Sequence, residues 1–295
     1  MIKIIKLTKN DYENILNYKE THSIRSALVM EKNYYLFYIA QKISKLNDPL
    51  ITLRGSYIYL LTIDNYKRTP NDLDFSYNID LLDQEKISLV RKIISSIDSK
   101  IILRRKKTSF SQFGYFPYES VVDDKIKLIK IECMIRSPIV PEVMSLDISK
   151  PLNESDWTSI NVYSYEQLFI DKVFSLNYLG SKYYTGEKSR YYDALYDTWM
   201  LLNSEYYSIF MKNRNALVVN EKIRADLKIH NEMFSVSLNN LYLNNKKKSI
   251  KLRGLYNAKK YSKIKKLTND IKISVFLKKY NEVRAKILSL IKQSI

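Results

Sequence analysis

The chain is poor in glycine, cysteine and histidine, and each shortage excludes a chemistry. Its five glycines stand at positions 55, 114, 180, 186 and 254 of 295, so neither the G-x-G-x-x-G loop nor the P-loop G-x-x-x-x-G-K-[ST] can be written anywhere in it. A nucleotide would have to be held another way. One cysteine, Cys133, excludes a disulfide framework or thiolate cluster, and two histidines, His22 and His230, are too few for a histidine-rich metal site. Any metal should therefore be bound through oxygen. No stretch approaches the roughly twenty apolar residues of a membrane-spanning helix. There is also no cationic leader with an apolar run and a small-residue cleavage site, so the expectation is a cytoplasmic protein without a membrane partner.

Apolar residues make up 45% of the chain and aromatics 13%, enough for a sizeable core and two lobes. The net charge of +18 is unevenly spread: residues 201–295 hold 21 Lys/Arg against 6 Asp/Glu, whereas residues 1–200 hold 28 against 25. The densest part, "NNKKKSIKLRGLYNAKKYSKIKK", sets Tyr256 and Tyr261 among lysines and arginines. That composition suits a nucleic-acid backbone with occasional base stacking; a solvated basic helix face is the alternative.

The periodicity predicts a helix in "SALVMEKNYYLFYIAQKISKL", a strand near 50, a short helix from 57, and a strand over 73–77. A helix near 83–97 and strands at 101–105 and 126–135 follow. Two prolines in "RSPIVPEV" mark a break, and past 160 the pattern turns helical, with Ser164 and Gln167 in capping-box spacing. The last helix carries apolar positions 273, 276, 277, 280, 283 and 287. The expected architecture is a mixed α/β core over 1–150 and a helical basic lobe over 151–295.

Candidate chemistry gathers in "LRGSYIYLLTIDNYKRTPNDLDF", residues 53–75. Alternate positions of a strand share a face, so Asp72 and Asp74 project together, and two like charges side by side ask for a cation. Hard oxygen ligands suit Mg²⁺ carried on nucleotide phosphates. Gly55 permits close backbone approach and Ser56 offers a donor to phosphate oxygens. Glu132 lies in an otherwise apolar strand, where it either completes a metal site or pairs with Lys130 on its own face. Lys172 occupies the apolar stripe of its helix and must snorkel or meet an anion. Asp193 and Asp197, four apart, with Arg190 three before Asp193, read equally as surface ion pairs.

Taken in order, these residues resemble the AbiEii/AbiGii toxin family of nucleotidyltransferases. The family runs from a helix reading like "EKDYYV", through a strand ending in Gly-Gly-Thr or Gly-Ser, to Arg-x-Ser-x-Asp-x-Asp. This chain has Glu31-Lys32-Asn33-Tyr34-Tyr35, then Gly55-Ser56, then Arg68, Asp72 and Asp74. An acidic strand, a helical lysine and an Arg-x-x-Asp helix follow in the family, matched by Glu132, Lys172, and Arg190 with Asp193. The departures are Asn33 for aspartate, Thr69-Pro70 where Arg-x-Ser is commoner, and helical aspartates four apart where three is commoner. The resemblance covers about residues 28–200 and implies a polymerase-β-like nucleotidyltransferase core. It further implies transfer from an NTP to an RNA 3′ end, a tRNA acceptor stem, blocking translation in phage defence, with a cognate antitoxin as partner. In that reading Asp72, Asp74 and Glu132 hold Mg²⁺, and Gly55, Ser56, Arg68, Lys172 and Arg190 bind the nucleotide. Glu132 and Lys172 also serve the reaction, and Asp193 positions the nucleotide or Lys172. A nucleotidyltransferase acting on a protein or small molecule, or a decayed RNA-binding module, is the alternative.

Overall fold

The computed structural model describes residues 4–21, 26–64, 66, 68–77, 83–104, 111–134, 143–150, 153–165, 167–169, 171–172, 188–212 and 272–293. Its contacts divide the chain into two units, Met1–Thr62 with Thr69–Tyr163, and Ile63–Arg68 with Ser164–Ile295. Residues 151–163 thus belong with the first unit, and the six residues from Ile63 with the second.

In the first unit eight strands form one sheet among the described residues: β1 (Ile5–Lys6), β2 (Ile51–Arg54), β3 (Asp72–Tyr77), β4 (Ile102–Arg104), β5 (Ser111–Glu119), β6 (Ile126–Met134), β7 (Val143–Lys150) and β8 (Asn153–Tyr163). They lie in the order β1-β5-β6-β3-β2-β8-β7, with β4 also on β5. Four helices accompany them, α1 (Lys9–Thr21), α2 (Ala27–Ser44), α3 (Ser56–Thr62) and α4 (Asp83–Ile97). β3 runs parallel to β6 and antiparallel to β2.

Alternation gives the sheet a dry face and an open one. Leu73 and Phe75 of β3, Ile129, Ile131 and Cys133 of β6, and Phe116 and Tyr118 of β5 are all buried. Each large apolar side chain so buried contributes about 1.5–3 kcal/mol. Helix α2 packs on this face: the ring of Tyr35 lies 4.1 Å from that of Tyr118, and Tyr38 5.7 Å from Phe116. The Glu-Lys-Asn-Tyr-Tyr stretch is thereby seen to hold the core. Its Glu31, fully buried, accepts hydrogen bonds from Ser120 Oγ and the Val121 N–H, both at 2.7 Å, and so ties the β5–β6 turn to α2. A buried carboxylate without such donors would destabilise the fold.

Four strands, β1, β5, β7 and β8, escape the sequence reading. β5 contains Gly114 and Pro117, residues that weaken any strand assignment. Gly114 is needed for close packing, since a Cβ there would lie 2.5 Å from Ile101 Cγ2. The β7–β8 hairpin follows the expected break and joins the sheet through the parallel pair Leu53 and Val162.

In the second unit the described helices are α5 (Lys188–Asn203), α6 (Glu205–Lys212) and α7 (Ile273–Gln293), besides the helical residues between 165 and 172. The Gln167 N–H donates to Ser164 Oγ at 3.3 Å, half of the expected capping box. On α7, Phe276, Tyr280, Val283 and Ile287 are buried as the apolar stripe predicts; the side chains of Ile273 and Leu277 lie outside the described residues. The ring of Phe276 lies 6.4 Å from that of Trp199 on α5. No helix among the described residues is long and apolar enough to cross a membrane.

Candidate active site

Asp72 and Asp74 open β3 on the polar face of the sheet, each only partly exposed. The register sets Asp74 opposite Glu132 on β6 and opposite Arg54 on β2, and sets Asp72 opposite Lys130. Three carboxylates and two cations therefore share two adjacent rows. Burial, then the neighbouring charge of Asp72, pushes the Asp74 carboxyl up to about 7, while Arg54 opposes the shift and Glu132 adds to it. A proton or a cation must offset that repulsion.

Glu132 has partners on its own face. Lys130 Nζ forms an ion pair with its Oε2, and Ser111 Oγ donates to its Oε1. Among the described residues no three His, Cys, Asp or Glu side chains converge as a ready-made metal cage. Two aspartates suffice for Mg²⁺, which keeps several waters and takes its other ligands from substrate phosphates, so the donor set fits that ion. Cys133 lies on the opposite, dry face, where burial pushes its thiol well up, and thiolate chemistry is excluded there.

Gly55 links β2 to α3 with φ at +81°, the left-handed region. A Cβ on it would come within 2.6 Å of Asp74 Oδ2. The glycine thus serves both the turn and the aspartate. Ser56, the first residue of α3, is buried beside it.

A second cluster lies within the other unit, centred on Asp197 of α5. Arg68 donates to both its oxygens at 2.8 Å, Lys172 Nζ reaches Oδ2 at 2.6 Å, and Tyr66 Oη donates to Oδ1 at 2.5 Å. Desolvation would raise the Asp197 carboxyl, but Arg68 and Lys172 outweigh it and bring it down to about 2. Burial, then Asp197, pushes the Tyr66 phenol well up and keeps it a donor. Asp193 is more peripheral, 3.7 Å from Arg68 Nη1. Lys172 thus meets an anion rather than merely snorkelling, and the anion is Asp197.

The sequence puts Asp72, Asp74, Glu132, Arg68, Lys172 and Asp193 in one site; the register brings the first three to one face, and Arg68, Lys172 and Asp193 gather around Asp197. Sequence reasoning passed over Arg54, Ser111 and Tyr66. Arg54 could have been found, since it immediately precedes Gly55 at the end of a strand; Tyr66 carries no signal of its own. The side chain of Arg190 and the basic run at 244–266 lie outside the described residues.

No curated protein matches the chain. Among solved structures, JHP933 from Helicobacter pylori is 14% identical, covering 98% of this chain and 97% of its own, with a TM-score of 0.34. An antigenic nucleotidyltransferase-like protein from Paracoccidioides brasiliensis is 16% identical over 58% of this chain and 76% of its own, with a TM-score of 0.39. The model of the nucleotidyl transferase AbiEii toxin family, type IV toxin-antitoxin system, matches residues 43–279. That span takes in the whole strand-turn-strand segment with Gly55, Asp72 and Asp74, the Glu132 strand and the Asp197 helix, on a mixed α/β core of the polymerase-β-like kind. The chain belongs to the AbiEii nucleotidyl transferase toxins of type IV toxin-antitoxin systems, enzymes that take an NTP as substrate.

Proposed function

We propose that the enzyme transfers nucleotides from an NTP to the 3′ end of an RNA, a tRNA acceptor stem, and so blocks translation during phage infection. The observation that carries the chemistry is the carboxylate row on the open face of the sheet, Asp74 with Glu132 and Asp72 beside it. Asp72 and Asp74 would hold Mg²⁺, with Glu132 as the third carboxylate. Bound there, the ion would neutralise phosphate charge and favour ionisation of the attacking hydroxyl.

The chain's own residues have separable tasks in this reading. Gly55 lets the backbone approach the phosphates and Ser56 donates a hydroxyl to them. Arg68 and Lys172 supply positive charge for the nucleotide, assisted by Arg190. Asp197 holds those cations in place, Asp193 positions the nucleotide beside them, and Glu132 accepts the proton of the attacking ribose hydroxyl. The RNA target rests on the surplus of lysine and arginine in residues 201–295, 21 against 6 acidic residues.

Incubation with total RNA and each labelled NTP in turn tests the reading. The expected result is Mg²⁺-dependent label in tRNA-sized RNA, lost in Asp72→Asn and Asp74→Asn. Label confined to protein or a small molecule would move the target away from RNA. Charge reversal at Lys259, Lys260 and Lys265 should weaken RNA transfer and flatten its salt dependence, because each phosphate contact releases counterions.

A further inference from the structure

Beside the carboxylates, the open face of the sheet turns aromatic. β5 sets Phe113 opposite Glu132 and Tyr115 opposite Lys130, with Pro117 opposite Leu128. Two rows therefore cross three strands without a break, Phe113-Glu132-Asp74 and Tyr115-Lys130-Asp72. Each ring stands two strand spacings, roughly 10 Å, from an aspartate. The rings of Phe113 and Tyr115 meet edge to face, centroids 5.6 Å apart at 87°, and Lys130 Nζ lies 5.3 Å from the Phe113 centroid. Next to them Leu128 is 51% exposed and Ile126 62%. β6 is an interior strand, flanked by β3 and β5, so this apolar surface is a face and not an edge. Outward positions of such a strand are ordinarily polar. Exposed Leu128 and Ile126 beside the half-buried rings of Phe113 and Tyr115, next to a charged site, make a docking feature.

We propose that this face receives the unpaired 3′-terminal base of the acceptor RNA, with Tyr115 as its stacking residue; the inference rests on the proposed transfer to RNA. The occupant has to be flat and apolar where it meets Tyr115 and Leu128. It has to carry negative charge towards the exposed Arg104, which lies opposite Phe113, and it has to present a hydroxyl to the aspartates two strands away. A nucleobase with its ribose and phosphate meets all three demands, whereas an apolar peptide meets only the first. A base inside a duplex has both faces covered, so the face selects a single-stranded end. Stacking on a ring tolerates any base, which makes Tyr115 a reader of strandedness rather than of sequence.

A single-stranded oligoribonucleotide carrying 2-aminopurine at its 3′ terminus probes the contact directly. Wild type should quench its fluorescence and extend it. Tyr115→Leu should lose the quenching and raise KM for the RNA about tenfold, the loss of one stacked base. Its kcat and its KM for the NTP should stay unchanged, and Tyr115→Trp should restore both quenching and KM. Leu128→Asp, at an exposed position where folding is indifferent, should weaken RNA binding without disturbing the rings. Equal quenching and equal KM in Tyr115→Leu, with wild type active on RNA, would overturn this inference alone. A changed KM for the NTP instead would assign the ring to the incoming nucleotide and overturn it too. Unaltered RNA kinetics with weakened binding of the antitoxin would give the face to a protein. Absence of wild-type transfer to any RNA would defeat the proposed function itself.

Discussion

Arg68 closes on Asp197 with two parallel hydrogen bonds, Nε to Oδ1 and Nη2 to Oδ2, each 2.8 Å, across 129 residues of sequence. Its side chain is 11% exposed and that of Asp197 1%. Asp197→Asn leaves Arg68 and Lys172 buried without their counter-charge and should destabilise the chain by about 3–5 kcal/mol. Denaturant unfolding measures it; a change near zero would show that the cations find another partner.

The same carboxyl predicts an acid limb. It binds its proton more weakly in the folded chain than in the unfolded one, at about 2 against an ordinary 3.8. The unfolded state therefore takes up more protons on acidification, and stability present above pH 4 is lost as pH falls towards 2. The loss amounts to about 2 kcal/mol. In Asp197→Asn this part of the acid limb should be missing from the pH profile of unfolding.

Asp74 predicts the opposite sign. Burial and Asp72 raise its carboxyl from 3.8 to about 7, so the folded state holds the extra proton and stability falls as pH rises from about 4 to 7. Asp74→Asn should stabilise the chain at pH 8 in a chelating buffer by on the order of 1–2 kcal/mol after solvent screening, seen as a higher melting temperature, and much less at pH 4. Mg²⁺ added at pH 8 should stabilise wild type and not the variant. Thermal scans at both pH values, with and without Mg²⁺, check all three outcomes.

Gly55→Ala places a methyl at φ +81° and 2.6 Å from Asp74 Oδ2. The strained backbone should cost about 1–2 kcal/mol of stability. Transfer activity should fall much further than stability, because the carboxylate itself must move. Parallel losses of both would mean the turn matters only for folding.

How much of this was legible beforehand depended on how far apart the partners lie. Asp72 and Asp74 announce themselves through strand alternation, and the helix over 83–97 matches α4 (Asp83–Ile97) residue for residue. Glu132 was readable as an acid in an apolar strand, and of its two open readings the ion pair with Lys130 is formed. The cluster around Asp197 was not readable in the same way. Local spacing ties Asp197 to Asp193, but its actual partners, Tyr66, Arg68 and Lys172, lie 131, 129 and 25 residues away. No periodicity reports such distances. β7 and β8 were missed for a related reason: their polar runs become strands through pairing with each other and with β2.

Arg68 finds its carboxylate only when residue 197 has been made, roughly two-thirds of the way along the 295-residue chain. A nascent chain emerges from the ribosome in order, so the first unit, complete at Tyr163, is synthesised before the anion that gathers Tyr66, Arg68 and Lys172. The aspartates of β3 are therefore made, and can pair with β2, before the cation cluster has its centre.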